Sequence, residues 1–504
     1  MTLPSRPNPS NRRRVPAQRQ PNIRIEDVGG LSLITLRLDS NGTPEAGDEA
    51  MLLGELDAVG ASDLLVFCHG WNLSGETANP SARAFFQAVP PLLRRFGEPG
   101  RRVALLDVYW PGRRWSDEPV PGLDLDVLEP AAALDPATGS DPAALDPSTL
   151  DPTALDSSAQ DSAGGYHGQV AAPPPPDEAS RRTTRAAFGP DQGERVDELL
   201  GLLMARPDDS AALKRARVLI RILAEQAPDD GDGERRAVTS MLEIDDPYPD
   251  QLFADFALRL TELGVVTDPA GGRAGFGDSV GRLWHGAQEV VRQLTYWQLK
   301  RRAAMVGERG LGPVLDRLHA QRPDLGINLI GHGLGARVVG HALRSLPGGA
   351  GPVAGAPVVR SVTLLQGALS HFAFADKLPF DASRSGALAG LQDRVSGPVV
   401  ACYSRHDTAV GVFYPLAARA AGPDTAGFET PRYRWGGLGQ DGHQPAAREF
   451  SLNPIGMGYD FARSGLVNID ASWVVGHGLP PSGAHSDICH PELAWIPLNA
   501  AGLC

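Results

Sequence analysis

Apolar residues in this chain follow two patterns: short continuous runs, and stretches in which they return every three or four positions. Continuous runs occur at Asp63–Cys68 (DLLVFC) and Arg102–Trp110 (RVALLDVYW), an alternating one at Leu325–Ile330, and further strand-like runs at Val358–Gln366 and Pro398–Ser404. Runs of that length and character predict strands buried on both faces of a parallel sheet. Two alternating runs between Asn22 and Asp39, IRIEDV and LSLITLRL, predict the strands that begin the sheet. A glycine- and glutamate-rich turn region then leads to Asp63. Helical spacing is read over Ala78–Phe96, in several segments between Arg195 and Leu263, over Asp278–Val306, and in a short piece near Glu492–Leu498. Strands alternating with helices predict an α/β protein with a mostly parallel central sheet flanked by helices.

Composition divides the chain further. Residues 1–21 are rich in Pro, Arg, Asn and Ser and are expected to form a disordered arm. Residues 117–192 carry LDPATGSDPAALDPSTLDPTALDSS and then PPPP at Pro173–Pro176. Proline and aspartate at that density bury too little apolar surface to offset chain entropy, which predicts a disordered acidic insertion. The α/β domain is then expected in two parts, 22–116 and 311–504, with a helical insertion or cap over 193–310. The net charge of −13 argues against a nucleic-acid partner. No segment approaches 18 consecutive apolar residues, so no membrane span is expected, and the N-terminus lacks the apolar stretch of a signal peptide. Cys68, Cys402, Cys489 and Cys504 form no metal-binding spacing, so no metal and no cofactor is expected, and their usage suits a reducing cytoplasm. Lysine occurs only at Lys214, Lys300 and Lys377; with abundant Ala, Gly and Pro this suggests a GC-rich bacterial genome.

The candidate chemistry centres on Leu325–Leu346, LGINLIGHGLGARVVGHALRSL, a short strand, a tight glycine turn and an apolar-periodic helix. A strand–turn–helix with a serine framed by glycines, G-x-S-x-G, is a nucleophile elbow. Here Gly331 and Gly335 supply the frame, His332 and Leu334 fill the intervening positions, and Gly333 stands where the serine would be. Two further pieces follow in the order acid, then histidine. Asp407 lies just past a predicted strand, and His485 sits on a glycine-flanked loop near the C-terminus. His69-Gly70-Trp71 directly follows DLLVFC, where the backbone N–H of Trp71 could form half of an oxyanion hole with that of Leu334. The same glycines also fit a phosphate-binding loop of the G-x-G-x-x-[GA] form. His477 and His490 are rivals for the base, and Ser404, Ser486, Cys68 and Cys402 are alternatives for a relocated nucleophile.

FCHGWN, LLDVYWPG, INLIGHGLGARVV, YSRHDT and GAHSDI together resemble the α/β-hydrolase superfamily of esterases, lipases and related serine hydrolases. The resemblance runs from about residue 60 to 498, apart from the insertion. It implies an α/β-hydrolase fold, with the acid on Asp407, the base on His485, oxyanion donors on Trp71 and Leu334, and the nucleophile position on Gly333. It also implies a small-molecule acyl or ester-like substrate or ligand. Glycine has no atom to attack a carbonyl, so three functions are expected to compete. They are a serine ester hydrolase substituted at its nucleophile, a pseudo-hydrolase that binds a ligand or acts as a scaffold, and a hydrolase whose Asp407–His485 dyad activates water.

Overall fold

The computed structural model describes residues 25–70, 80–112, 170–171, 176, 178–225, 251–262, 265–266, 276–347, 357–413, 436–444, 447–461, 465–478 and 483–504. Its centre is one nine-stranded sheet built from β1 (Ile25–Val28), β2 (Leu31–Arg37), β3 (Asp63–Cys68), β4 (Val103–Tyr109), β7 (Gly326–His332), β8 (Val359–Leu365), β9 (Pro398–Tyr403), β10 (Arg448–Ser451) and β11 (Gly465–Asp470). The spatial order is β1-β2-β4-β3-β7-β8-β9-β11-β10. Only the β1–β2 hairpin is antiparallel; every other pairing in the sheet is parallel. A separate parallel pair joins β5 (Val170–Ala171) to β6 (Val265–Val266). This is an α/β architecture, mixed by one hairpin and otherwise parallel.

The continuous apolar runs are explained by burial on both faces. Along β3, Leu64, Val66 and Cys68 enter one hydrophobic cluster, while Leu65 and Phe67 enter the other. β4 divides in the same way, with Ala104, Leu106 and Val108 on one side and Val103 and Leu105 on the other. Helices Gly193–Ala205, Ser210–Glu225, Gln251–Glu262 and Phe276–Val306 bring Leu199, Leu219, Phe256 and Trp284 into the first of these clusters, so the inserted helices share the sheet's core.

The structure departs from the sequence reading at four places. Strand β5, helix Glu178–Phe188 and the turn Pro190–Gln192 lie inside the 117–192 segment expected to be disordered, so regular structure begins well before residue 193. Thr184 and Ser180 are buried there, which a Pro/Asp-based reading does not register. The expected turn region before β3 contains helix Asp48–Ala58, held by buried Leu52 and Leu56. The single helix read over 78–96 is two, Pro80–Phe86 and Val89–Phe96. Strands β10 and β11 were not anticipated. The arm at 1–21 and residues 117–169 of the acidic tract lie outside the described residues. Among the described residues no helix is long and apolar enough to cross a membrane.

β3 is flanked by β4 on one side and β7 on the other, so the chain reverses its direction of travel across the sheet between them. In open α/β sheets a crevice opens outside the carboxyl ends of the strands at such a reversal. The residues that leave those two carboxyl ends are His69-Gly70 and Gly333.

Candidate active site

The glycines of the elbow are required by contact. β3 and β7 pair with Cys68 opposite Gly331, and helix Leu334–Ala342 turns back over both strands. A β-carbon on Gly335 would stand 1.9 Å from the Cys68 carbonyl oxygen, and one on Gly331 would stand 2.5 Å from Ala336 Cα. Neither position has room for a side chain. Gly333 makes the turn itself with φ 54° and ψ −119°, a conformation that L-residues rarely adopt. Its N–H donates to Leu365 O at 3.1 Å, and its carbonyl accepts from Ala336 N at 3.2 Å and Ala368 N at 2.9 Å. The turn is therefore fixed by β8 as well as by its own helix.

Asp407 follows β9 and is fully buried. Its Oδ1 accepts the Val410 N–H at 3.0 Å, which orients the carboxylate, and its Oδ2 lies 2.8 Å from His485 Nδ1. His485 is buried on the 3₁₀ turn Gly483–Ser486. That turn rests against the acid's loop, with Ala484 N donating to His406 O at 3.0 Å. Gly483, at φ 58°, permits the approach: a β-carbon there would stand 2.5 Å from both His406 O and Thr408 Oγ1. A carboxylate only accepts hydrogen bonds, so Nδ1 of His485 carries a proton, and in the neutral imidazole the lone pair is then on Nε2. Nε2 faces the elbow, 2.8 Å from where a β-carbon on Gly333 would stand.

The structure thus brings Asp407, His485 and Gly333 together from sites more than 70 residues apart in the chain. Leu334 opens the elbow helix, where its N–H lies too early for a bond within the helix. Trp71, the other expected donor, lies outside the described residues. Gly70, just before it, is beside the elbow: its Cα is 3.6 Å from the same Gly333 β-carbon position.

The two framing histidines serve as struts. His69 Nε2 accepts the Trp110 N–H at 3.3 Å, so its Nδ1–H donates to Gly70 O at 2.6 Å. Its ring stacks on Trp110, whose indole N–H returns to His69 O at 3.0 Å. Burial holds this imidazole down to about 4, against a smaller upward pull from the bonds to Gly70 and Trp110. His332 donates from Nε2 to His485 O at 2.8 Å. Burial first, then the neighbouring His485, holds it down to about 3. Both rings are neutral at ordinary pH.

The rival residues are engaged elsewhere. His490 Nε2 lies 2.6 Å from Asp487 Oδ1, and His477 also pairs with Asp487, not with Asp407. Ser404 Oγ donates to Val475 O at 2.6 Å and accepts the His406 N–H at 3.1 Å, bracing the acid's loop. Cys68 and Cys402 are buried, and burial pushes both thiols up, away from the reactive thiolate. Ser486 lies on the histidine's turn.

One residue escaped the sequence reading. Gln366, the first residue past β8, is buried and has φ 43°, unusual for a residue with a side chain. Its Nε2 donates to Ala484 O at 2.8 Å. The available signal was a polar residue followed by glycine at the carboxyl end of an apolar strand. Among the described residues no group of three or more His, Cys, Asp or Glu side chains is placed to hold a metal ion.

Chemically, the site offers a buried imidazole, oriented by a carboxylate, whose Nε2 faces a strained turn beside the N-terminus of a helix. It offers no nucleophilic side chain on that turn. Comparison of the chain with protein-family models, with curated proteins and with solved structures gave no match.

Proposed function

We propose that this protein is an α/β-hydrolase-fold protein of the serine ester hydrolase type in which Gly333 stands at the nucleophile position. Its site binds an acyl or ester-like small molecule and forms no acyl-enzyme. The observation that carries this reading is the 2.8 Å separation between His485 Nε2 and the β-carbon position of Gly333. A base held by a buried carboxylate and aimed at the apex of a glycine-framed turn is the arrangement that activates an elbow serine. Phosphate binding fits less well, because a buried carboxylate–imidazole pair adjoining the loop disfavours an anion. The four unpaired cysteines suit a reducing compartment, in keeping with a cytoplasmic protein.

A second reading is favoured by the tautomer of His485. With its proton held on Nδ1 by Asp407, Nε2 can take a proton from water as the water oxygen bonds to the ester carbonyl carbon. The carbonyl π electrons move onto oxygen, beside the Leu334 N–H. Collapse of that intermediate breaks the bond to the alkoxide, and His485 returns the proton to it, leaving acid and alcohol.

Turnover of p-nitrophenyl esters separates the readings. The protein as it stands is expected to be near background, Gly333→Ser to gain turnover, and His485→Ala in the Gly333→Ser background to abolish the gain. Turnover by the unsubstituted protein that His485→Ala removes would establish the water mechanism instead. A folded Gly333→Ser variant inert on esters of several chain lengths would refute the hydrolase-type reading.

A further inference from the structure

The turn that carries His485 is gripped at two successive carbonyls by side chains from two neighbouring strand ends. His332, at the end of β7, donates Nε2–H to His485 O at 2.8 Å. Gln366, one residue beyond β8, donates Nε2–H to Ala484 O at 2.8 Å. Both side chains are buried, and both acceptors are backbone carbonyls, so the direction of each bond is fixed by chemistry.

Gln366 holds its place at a cost. It has φ 43°, where a residue with a β-carbon is strained, and among the described residues its Oε1 is buried with no hydrogen-bond partner. A glycine would relieve the backbone, and an apolar side chain would remove the orphaned oxygen. Such features persist where the surrounding structure imposes them, and they concentrate at functional sites. What Gln366 retains in exchange is the bond to Ala484.

We infer that His332 and Gln366 are positioning residues for His485, holding the carbonyls of the turn so that Nε2 stays over the elbow. Asp407 fixes the ring's proton and one ring edge, and the Ala484 N–H bond to His406 O ties the turn to the loop of Asp407, but neither refers the base to the strands that carry the elbow. The two straps do. They tie the base to β7 and β8, the strands that also fix Gly333 through its bond to Leu365. Base and nucleophile position are thereby referenced to the same two strands. The catalytic significance of the straps rests on the hydrolase-type reading; their effect on the ring does not.

The test uses the full chain with ¹⁵N-labelled histidine and follows the downfield Nδ1–H resonance that His485→Ala removes. In the unsubstituted protein, His332→Leu and Gln366→Met, singly and together, are expected to broaden or abolish that resonance. His332→Gln, which presents an N–H at the same reach, is expected to retain it. In the Gly333→Ser background the double variant is expected to lose about 10²-fold in kcat with KM changing less than about twofold, the scale of a small misplacement of a reacting group. If His332→Leu fails to fold, His332→Asn, whose amide falls one methylene short, replaces it. An unchanged resonance in the folded double variant, or loss of it in folded His332→Gln, would overturn the inference. Absence of ester turnover in Gly333→Ser would count against the proposed function alone, because the resonance still reports on the straps.

Discussion

Gly333→Ser should raise activity and lower stability together, and the structure sets the size of each effect. The φ 54°, ψ −119° turn costs a residue with a β-carbon about 1–3 kcal/mol. The new carbon would also stand 2.8 Å from His485 Nε2, inside normal contact, so the imidazole must retreat by roughly 0.5 Å. Against this, replacing glycine restricts the unfolded chain and stabilises by about 0.4–1 kcal/mol. A serine Oγ–H bonded to Nε2 adds about 1 kcal/mol more. Gly333→Ala separates the terms, because it brings the same strain and contact without the hydroxyl. In equilibrium urea unfolding, Ala is expected to lose about 1–3 kcal/mol and Ser about 1 kcal/mol less than Ala. Only Ser should gain turnover of p-nitrophenyl acetate, by at least about 10²-fold, the lower range for a positioned base. A Gly333→Ala protein as stable as the parent would refute the reasoning, because the turn would then be neither strained nor crowded.

In the Gly333→Ser background, Asp407→Asn should lower kcat by about 10⁴-fold by stabilising the wrong imidazole tautomer; a loss under tenfold would argue against the pairing with His485. Gly335→Ala places a carbon 1.9 Å from Cys68 O and should cost more than about 4 kcal/mol, as only severe core disruptions do, visible as loss of cooperative unfolding. His69, His332 and His443 are held by burial at about 4, 3 and 3, below an ordinary value of 6.5. The unfolded chain therefore binds protons that the folded one refuses. Stability should be full above about pH 6.5 and fall as pH drops toward 4, each histidine removing at most about 1.4 kcal/mol per pH unit. Denaturant midpoints that stay flat between pH 7 and 5 would contradict this.

Much of the α/β framework could be read from the chain, for one physical reason. Strands buried on both faces, such as Asp63–Cys68 and Pro398–Tyr403, must be continuously apolar, and the pattern is hard to produce otherwise. β10 was unreadable because its Arg448, Glu449 and Ser451 are exposed at the sheet's edge. β11 places a buried Asn468 in mid-strand, where its amide bonds to His443 O and Glu449, so its apolar signal is interrupted. At the site, Gly331 and Gly335 were legible because only glycine fits there, and Gly333 because it stands between them. Asp407 and His485 were legible from their order and their place after strands. Gln366 was not, because its role depends on where the Ala484 carbonyl lies, more than 100 residues away.

The route by which His485 reaches the elbow also bears on how the molecule is made. β3, β7 and the elbow helix can meet once synthesis has passed Ala342, but the imidazole arrives only with Gly483–Ser486. The segment beyond it docks far back in the chain, through helix Pro491–Ala500, whose Trp495 ring lies 5.1 Å from Phe96. Closing so long a loop comes late, because its entropy must be lost before its contacts form. Until then the Asp407 carboxylate lacks its imidazole and stays hydrated. Nascent chains truncated before residue 483 are therefore expected to show exposed, rapidly exchanging amides around Asp407 while the β3–β7 pair is already protected. The site would thus be the last part of the molecule to mature.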